Sequence, residues 1–215
     1  MPTGSDITPE TLLRAYAAGM FPMAEGRDDP AVHWVDPRLR GVFPLHNFHI
    51  SRSLRGEIVK ENCTIRTNSA FSEVVDACAD RLETWISAPI KSLYLSLHQA
   101  GFAQSLEVWR GPDFIGGVYG VSLGAAFFGE SMFSKAKNAS KIALAYLTHR
   151  LIAGGYQLFD TQFLTPHLQS LGAIEIPRAE YHRHLTKALQ SRASFDPPGY
   201  SVTASGVLQR STQTS

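Results

Sequence analysis

The sequence predicts an α/β (α+β) fold, one mixed sheet flanked by helices and preceded by a small helical N-terminal unit. Three observations lead there. Strand signals at 105–110, 114–122 and 125–133 follow one another with Gly-Pro-Asp and Leu-Gly at the turns, which reads as a meander. An amphipathic helix at 141–153 comes next, closed by Gly154-Gly155, and then a buried strand at 157–163. Strand, strand, helix, strand is the layout of an α/β acyltransferase fold in which the sheet opens beside a helix N-terminus.

The remaining elements follow from local chemistry. Thr8-Pro9-Glu10 supplies an N-cap, a proline at the first helical position and an acid in the first turn. The helix it opens carries Leu12, Leu13 and Tyr16 and stops at Gly19. Phe21-Pro22-Met23 is an apolar turn, followed by a loop rich in Gly, Asp and Pro that runs to Arg40. Within that loop, Trp34-Val35-Asp36-Pro37-Arg38 reads as a packed corner. Residues 51–60 form a short helix with Arg52, Arg55 and Lys60 near one face. A short strand is expected at 64–67 and a helix at 69–79 with Phe71, Val74, Val75 and Cys78 as its apolar stripe. Helices are also expected at 89–100, 166–171 and 178–190, while the tail from 191 loses pattern and should be loose. The expected division is a small unit at 1–46 and a larger one at 47–215.

Composition narrows the function. The chain has 215 residues, 44% of them hydrophobic and 18% charged, enough for one well-filled core. With 20 Lys and Arg against 19 Asp and Glu, the net charge is +1, so the chain is no generic polycation, though a local basic patch remains open. Only Cys63 and Cys78 occur, without a CxxC pair, which argues against a disulfide scaffold or structural zinc. The start, 1–6, lacks the pattern of a signal peptide, and no apolar run is long enough to span a membrane, so a cytoplasmic protein is expected.

A few residues stand out chemically. Gly116-Gly117-Val118-Tyr119-Gly120 is neither GxGxxG nor a Walker loop; such glycines in strands permit close approach or a bulge. Glu130 is a carboxylate inside an otherwise apolar strand, so it either faces outward or meets a cation, a hydrogen-bond donor or a substrate amine. Asp160 and Gln162 are two apart in a strand and share a face. They can steer or deprotonate an amine, or hold a neighbouring loop. Asn138 and Ser140 open a helix that either takes an anion or is simply capped by them. The 8 histidines show no metal-ligand spacing; His182 and His184 read as surface residues. Neither cysteine has a nucleophile's context, and no GxSxG elbow exists. That leaves direct attack by one substrate on another already activated one.

Four segments, Ala18-Gly19-Met20-Phe21-Pro22, His49-Ile50-Ser51-Arg52-Ser53, Gly129-Glu130-Ser131-Met132-Phe133-Ser134 and Asp160-Thr161-Gln162, resemble the leucyl/phenylalanyl-tRNA–protein transferase family. Ser170-Leu171-Gly172-Ala173 and Glu175-Ile176-Pro177-Arg178 extend the match, which runs through residues 8–190. The resemblance implies a small N-terminal domain and a larger acetyltransferase-like (GNAT-type) domain. It implies transfer of Leu, Phe and less readily Met from aminoacyl-tRNA to proteins beginning with Arg or Lys, marking them for degradation.

By position, the resemblance makes Asp160 and Gln162 the catalytic pair and Glu130 the carboxylate near the reacting amino group. Trp85 and Tyr94 match aromatics that hold the 3′-terminal adenosine, with Met23 where some members carry Trp. Arg52 and Arg55, with Lys60, would meet tRNA phosphates. Val118, Phe127, Gly129 and Thr165 would line the amino-acid pocket. No cofactor or metal is implied, since the ester supplies the driving force, and a monomer is expected. The residues before Thr8 are fewer than in many members, and Val118 and Thr165 replace larger or amide residues found in some. A transferase with another acceptor, or a tRNA-binding adaptor without turnover, stays open; a coenzyme A enzyme fits least, for want of a glycine loop.

Overall fold

A computed structural model describes residues 7–24, 26–27, 29, 31–60 and 62–210. The expectations that rest on 1–6 lie outside them.

Helix α1 (Pro9–Ala17) starts as its sequence dictates, the Thr8 hydroxyl accepting from the Thr11 N–H at 3.1 Å. Two short strands that sequence reasoning took for turn and loop, β1 (Phe21–Met23) and β2 (His33–Val35), pair antiparallel, with Pro22 opposite Trp34. A third such strand, β3 (Leu39–Val42), leaves the N-terminal unit and joins the main sheet.

The rest follows the expected order: α2 (Arg52–Val59), β4 (Thr64–Thr67), α3 (Phe71–Ala79), α4 (Ala88–Gln99), β5 (Ala103–Arg110), β6 (Asp113–Leu123), β7 (Ala126–Ser134), α5 (Ala139–Ala153), β8 (Leu158–Gln162) and α6 (Pro166–Gln169). Strand β9 (Ile174–Pro177), unforeseen, precedes α7 (Arg178–Leu189). The tail is a correction: Phe195 is buried, and α8 (Ala204–Arg210) seats Val207 and Leu208 in the core.

The seven strands lie in the order β4-β5-β6-β7-β8-β3-β9, antiparallel except for β7 and β8, which run parallel and are joined through α5. Each face carries its own apolar layer. One is built from α1, α3, α4 and α7, with Tyr16, Val74, Tyr94 and Tyr181 among its buried residues. The other is built from α2, α5 and α8, with Leu54, Leu147 and Val207. Helix α5 is no half-exposed amphipath: Ile142, Ala143, Leu144, Ala145, Leu147 and Thr148 are all buried, because the helix is roofed by α2 and α8. It also lies unusually close to the sheet. A Cβ at Gly116 would come within 2.7 Å of the Ala139 Cβ, which is why β6 has a glycine at that position.

Candidate active site

The sheet is constructed to open at one place. Along β6 and β7, Tyr119 pairs with Ser131 but Gly120 pairs with Gly129, so Glu130 is an extra, bulged residue. Along β3 and β8, Gly41 pairs with Gln162 and Val42 with Asp160, so Thr161 is bulged as well. Strands β7 and β8 pair only as far as Phe128 and Asp160. Past that point they part. A cavity of about 610 Å³ is walled by Glu130, Met132, Thr161, Thr165, His167 and, from the start of α5, Ser140. A smaller recess of about 80 Å³ adjoins it, sharing Glu130, Thr161 and Leu168 and closed by Val118, Leu144 and Phe159. Its walls are mostly apolar; its mouth holds a carboxylate.

Glu130 is nine-tenths buried, a costly place for an unpaired charge. Three donors meet it: the Tyr16 hydroxyl at 2.7 Å, the Tyr94 hydroxyl at 2.7 Å and Gln162 Nε2 at 3.1 Å. The two tyrosine oxygens also lie 2.8 Å from each other. With Glu130 ionised, two hydroxyl protons serve three oxygen–oxygen contacts; with Glu130 protonated, three serve three. Burial pushes its carboxyl up to about 7, against the lowering effect of Tyr16, Tyr94 and Gln162. Burial, then the neighbouring Glu130 charge, also raises both tyrosines well above the ordinary phenol range, so they stay protonated donors.

Asp160 is as buried but differently placed. Its Oδ1 accepts from Arg40 Nε at 2.9 Å and the Gln162 N–H at 2.8 Å; its Oδ2 accepts from Arg40 Nη2 at 2.6 Å and the Tyr181 hydroxyl at 2.7 Å. Arg40 is itself fully buried, donates Nη1 to the Gly19 carbonyl at 2.9 Å, and lies over the rings of Phe21 and Tyr181 at 4.5 and 4.3 Å. Burial alone lowers the Arg40 pKa; the bonds and charge of Asp160 more than offset this and leave it raised. Four donors surround a carboxylate sealed from solvent, and through them Asp160 ties β8 to Arg40 on β3 and to Tyr181 on α7. Through the Gln162 N–H it also fixes Gln162 in a left-handed conformation, φ +64°, from which the amide reaches Glu130.

The structure gathers Glu130, Gln162, Gly129, Val118 and Thr165 around the cavity and its recess. It moves others away. Tyr94 is fully buried with its hydroxyl on Glu130, so no face is free to stack a base. Phe127 is a core residue beside Tyr156, Phe159 and Phe195, and does not itself line the recess. Trp85 and Met23 are half-buried against the core of the face that holds Tyr94, and Trp85 meets Tyr94 edge-on at 6.3 Å. Arg52, Arg55 and Lys60 are exposed on α2, with Lys60 bonded to Glu57 at 2.9 Å. Asn138 and Ser140 do not cap α5 with their side chains: Asn138 Nδ2 donates to Ser53 at 3.2 Å, and Ser134 accepts the Ser140 N–H at 3.2 Å. His182 is half-buried, against expectation, bonded to Asp36 at 3.0 Å. Cys78 is buried with its thiol pushed up to about 12 by that burial, unsuited to nucleophilic attack.

Sequence reasoning missed Tyr16, Arg40, Tyr181 and Thr161. An arginine in the run Leu39-Arg40-Gly41-Val42-Phe43 carries the same signal as Glu130, a charge in an apolar strand that needs a partner. Among the described residues no three His, Cys, Asp or Glu side chains stand together as metal ligands. Among them, too, no helix is long and apolar enough to cross a membrane.

A buried carboxylate held by three donors thus stands where an open cavity meets a smaller, mostly apolar recess. Known proteins of similar sequence give the class, that of a transferase. A family model described as leucyl/phenylalanyl-tRNA protein transferase matches residues 42–186, and one for that family's N-terminal domain matches residues 5–38. A curated protein named leucyl/phenylalanyl-tRNA–protein transferase from Cereibacter sphaeroides is 63% identical over 209 residues, 97% of this chain and 98% of its own. One of the same name from Roseobacter denitrificans is 58% identical over 210 residues, 97% and 99% of the two chains. A solved structure of FemX aligns over 72% of this chain and 60% of its own, with TM-score 0.46 and 12% identity, too distant a likeness to support an argument. The chain belongs to the leucyl/phenylalanyl-tRNA–protein transferase family and is a transferase.

Proposed function

We propose that this chain moves Leu, Phe and, less readily, Met from aminoacyl-tRNA to the N-terminal Arg or Lys of proteins, marking them for degradation in the cytoplasm, and that it acts as a monomer. The observation that carries this reading is Glu130 at the junction of cavity and recess. An amino acid whose side chain enters the recess beside Val118, Leu144 and Phe159 brings its own amino group to the carboxylate at the mouth. The ester then lies at the opening between β7 and β8. Thr161, whose Oγ1 is buried without a hydrogen-bond partner, stands at both spaces and offers the ester a hydroxyl. The acceptor amine forms the C–N bond, the C–O bond to the tRNA 3′ oxygen breaks, and one proton passes from nitrogen to oxygen. Asp160 acts by holding Gln162, and Gln162 by holding Glu130.

The direct test is transfer of labelled Leu, Phe and Met from charged tRNA to peptides beginning with Arg, Lys, Asp or Glu. Transfer confined to Arg and Lys peptides is expected; transfer only to Asp or Glu peptides would overturn the acceptor assignment.

Two variants probe the parts. Val118→Phe narrows the recess and should disfavour Phe relative to Leu by about 10-fold or more, within the 1–3 kcal/mol such pockets discriminate. A Phe-to-Leu ratio unchanged in competition would place the side chain elsewhere. Arg52→Glu with Arg55→Glu should weaken charged-tRNA binding and flatten its salt dependence, by about one unit of slope for each phosphate no longer neutralised. The single-turnover rate at saturating tRNA should hold; affinity unchanged across salt would remove α2 from the interface.

A further inference from the structure

We propose that His167 is a further catalytic residue, which takes the proton from the attacking amine and hands it to the departing 3′ oxygen. This rests on the transfer reading above. As the amine closes on the ester carbon its nitrogen becomes positive, and as the C–O bond breaks the oxygen leaves as an alkoxide unless it gains a proton. A neutral base that accepts the first proton and releases it to the oxygen lowers both barriers.

Few groups at the cavity can do so. Asp160 has four donors and no exposure. Glu130 already takes three donors, and its free direction serves the donor's own amino group. Arg81 and Lys135 are cations, and Asp80 is exposed to solvent where it meets the cavity. His167 remains. Its ring is part of the cavity wall with Thr161 and Ser140, and its Nε2 is buried without a hydrogen-bond partner. A buried nitrogen left so costs about 1–3 kcal/mol, a cost that a substrate N–H or O–H group removes.

The chain puts His167 there by local rules. Thr165 caps α6, accepting the Leu168 N–H at 3.2 Å, and Pro166 opens the helix. Leu168, the next residue along, walls both the cavity and the recess, so His167 stands beside the passage in which the ester must lie. Burial, and then the charge of Lys141, keep the imidazole below its ordinary pKa, hence neutral and able to accept.

The test uses the full chain, Phe-charged tRNA and an Arg-initial peptide in single turnover. His167→Ala should slow transfer about 100-fold while charged-tRNA affinity stays within about 2-fold. Imidazole added to His167→Ala should restore rate, and substituted imidazoles should do so in order of their basicity. His167→Gln, which fills the ring's space, should be as slow and should not respond. Rates within about 3-fold of the parent in both variants would overturn the proposal. So would slow transfer that no imidazole restores, or a loss of tRNA affinity in parallel with rate. A parent protein that transfers nothing would instead sink the transfer reading, so the two failures are distinguishable.

Discussion

Arg40→Met is expected to destabilise the protein by about 3–5 kcal/mol, because it leaves the Asp160 carboxylate buried without its cation. The guanidinium is engaged on every side: two bonds to Asp160, one to the Gly19 carbonyl, one to Tyr181 and two ring faces. Arg40→Met combined with Asp160→Leu removes both charges and should regain much of that stability. Transfer should not return with it, since the Gln162 N–H then has no Asp160 oxygen to fix its left-handed turn. Denaturant unfolding and single-turnover transfer on the parent, the two single variants and the double variant check both halves. An Arg40→Met protein as stable as the parent would contradict the assignment, and a double variant with full activity would show that Asp160 positions nothing.

Glu130→Gln is expected to slow transfer by about 100-fold or more, a typical loss when a charge that serves the transition state is removed. It should also change how stability depends on pH. The folded protein holds the Glu130 proton to about 7, against an ordinary value of 4.5. The folded state therefore binds this proton more tightly than the unfolded chain, and its contribution to stability is lost as pH rises from about 4.5 through 7. The loss amounts to roughly 3 kcal/mol at one pKa unit per 1.36 kcal/mol. Between pH 5 and pH 8 the parent should accordingly lose stability relative to Glu130→Gln. Parallel stability curves would mean that the carboxylate is not raised, and that Tyr16, Tyr94 and Glu130 do not share protons as their spacing suggests.

Much of this was legible in the residues. Turns at Gly-Pro-Asp and Leu-Gly set the meander, the cap at Thr8 set α1, and an isolated Glu130 in an apolar strand left two readings, an outward face or a polar partnership. What the residues hid was mostly non-local. Strands β1, β2, β3 and β9 have only three or four residues each and form by pairing, not by periodicity, so a turn-rich reading passed over them. The face-sharing argument for Asp160 and Gln162 assumes a regular strand, and the bulge at Thr161 with the positive φ at Gln162 breaks it. The resemblance puts Tyr94 among aromatics that hold a nucleotide, and nothing local in the sequence tells that its ring is fully buried with its hydroxyl on Glu130. Only the fold brings Tyr16 across 114 positions to Glu130 and Arg40 across 120 to Asp160.

The most direct measurement is the ratio of single-turnover transfer rates, parent over Glu130→Gln, from about pH 5.5 to 8.5 with one charged tRNA and one peptide, a window that spans the raised carboxyl. Ionisation of the acceptor amine is common to both proteins and cancels, leaving Glu130 alone. The ratio should be large at high pH and fall as pH drops through about 7. A ratio near one at every pH would show that the carboxylate at the mouth of the recess takes no part in the transfer.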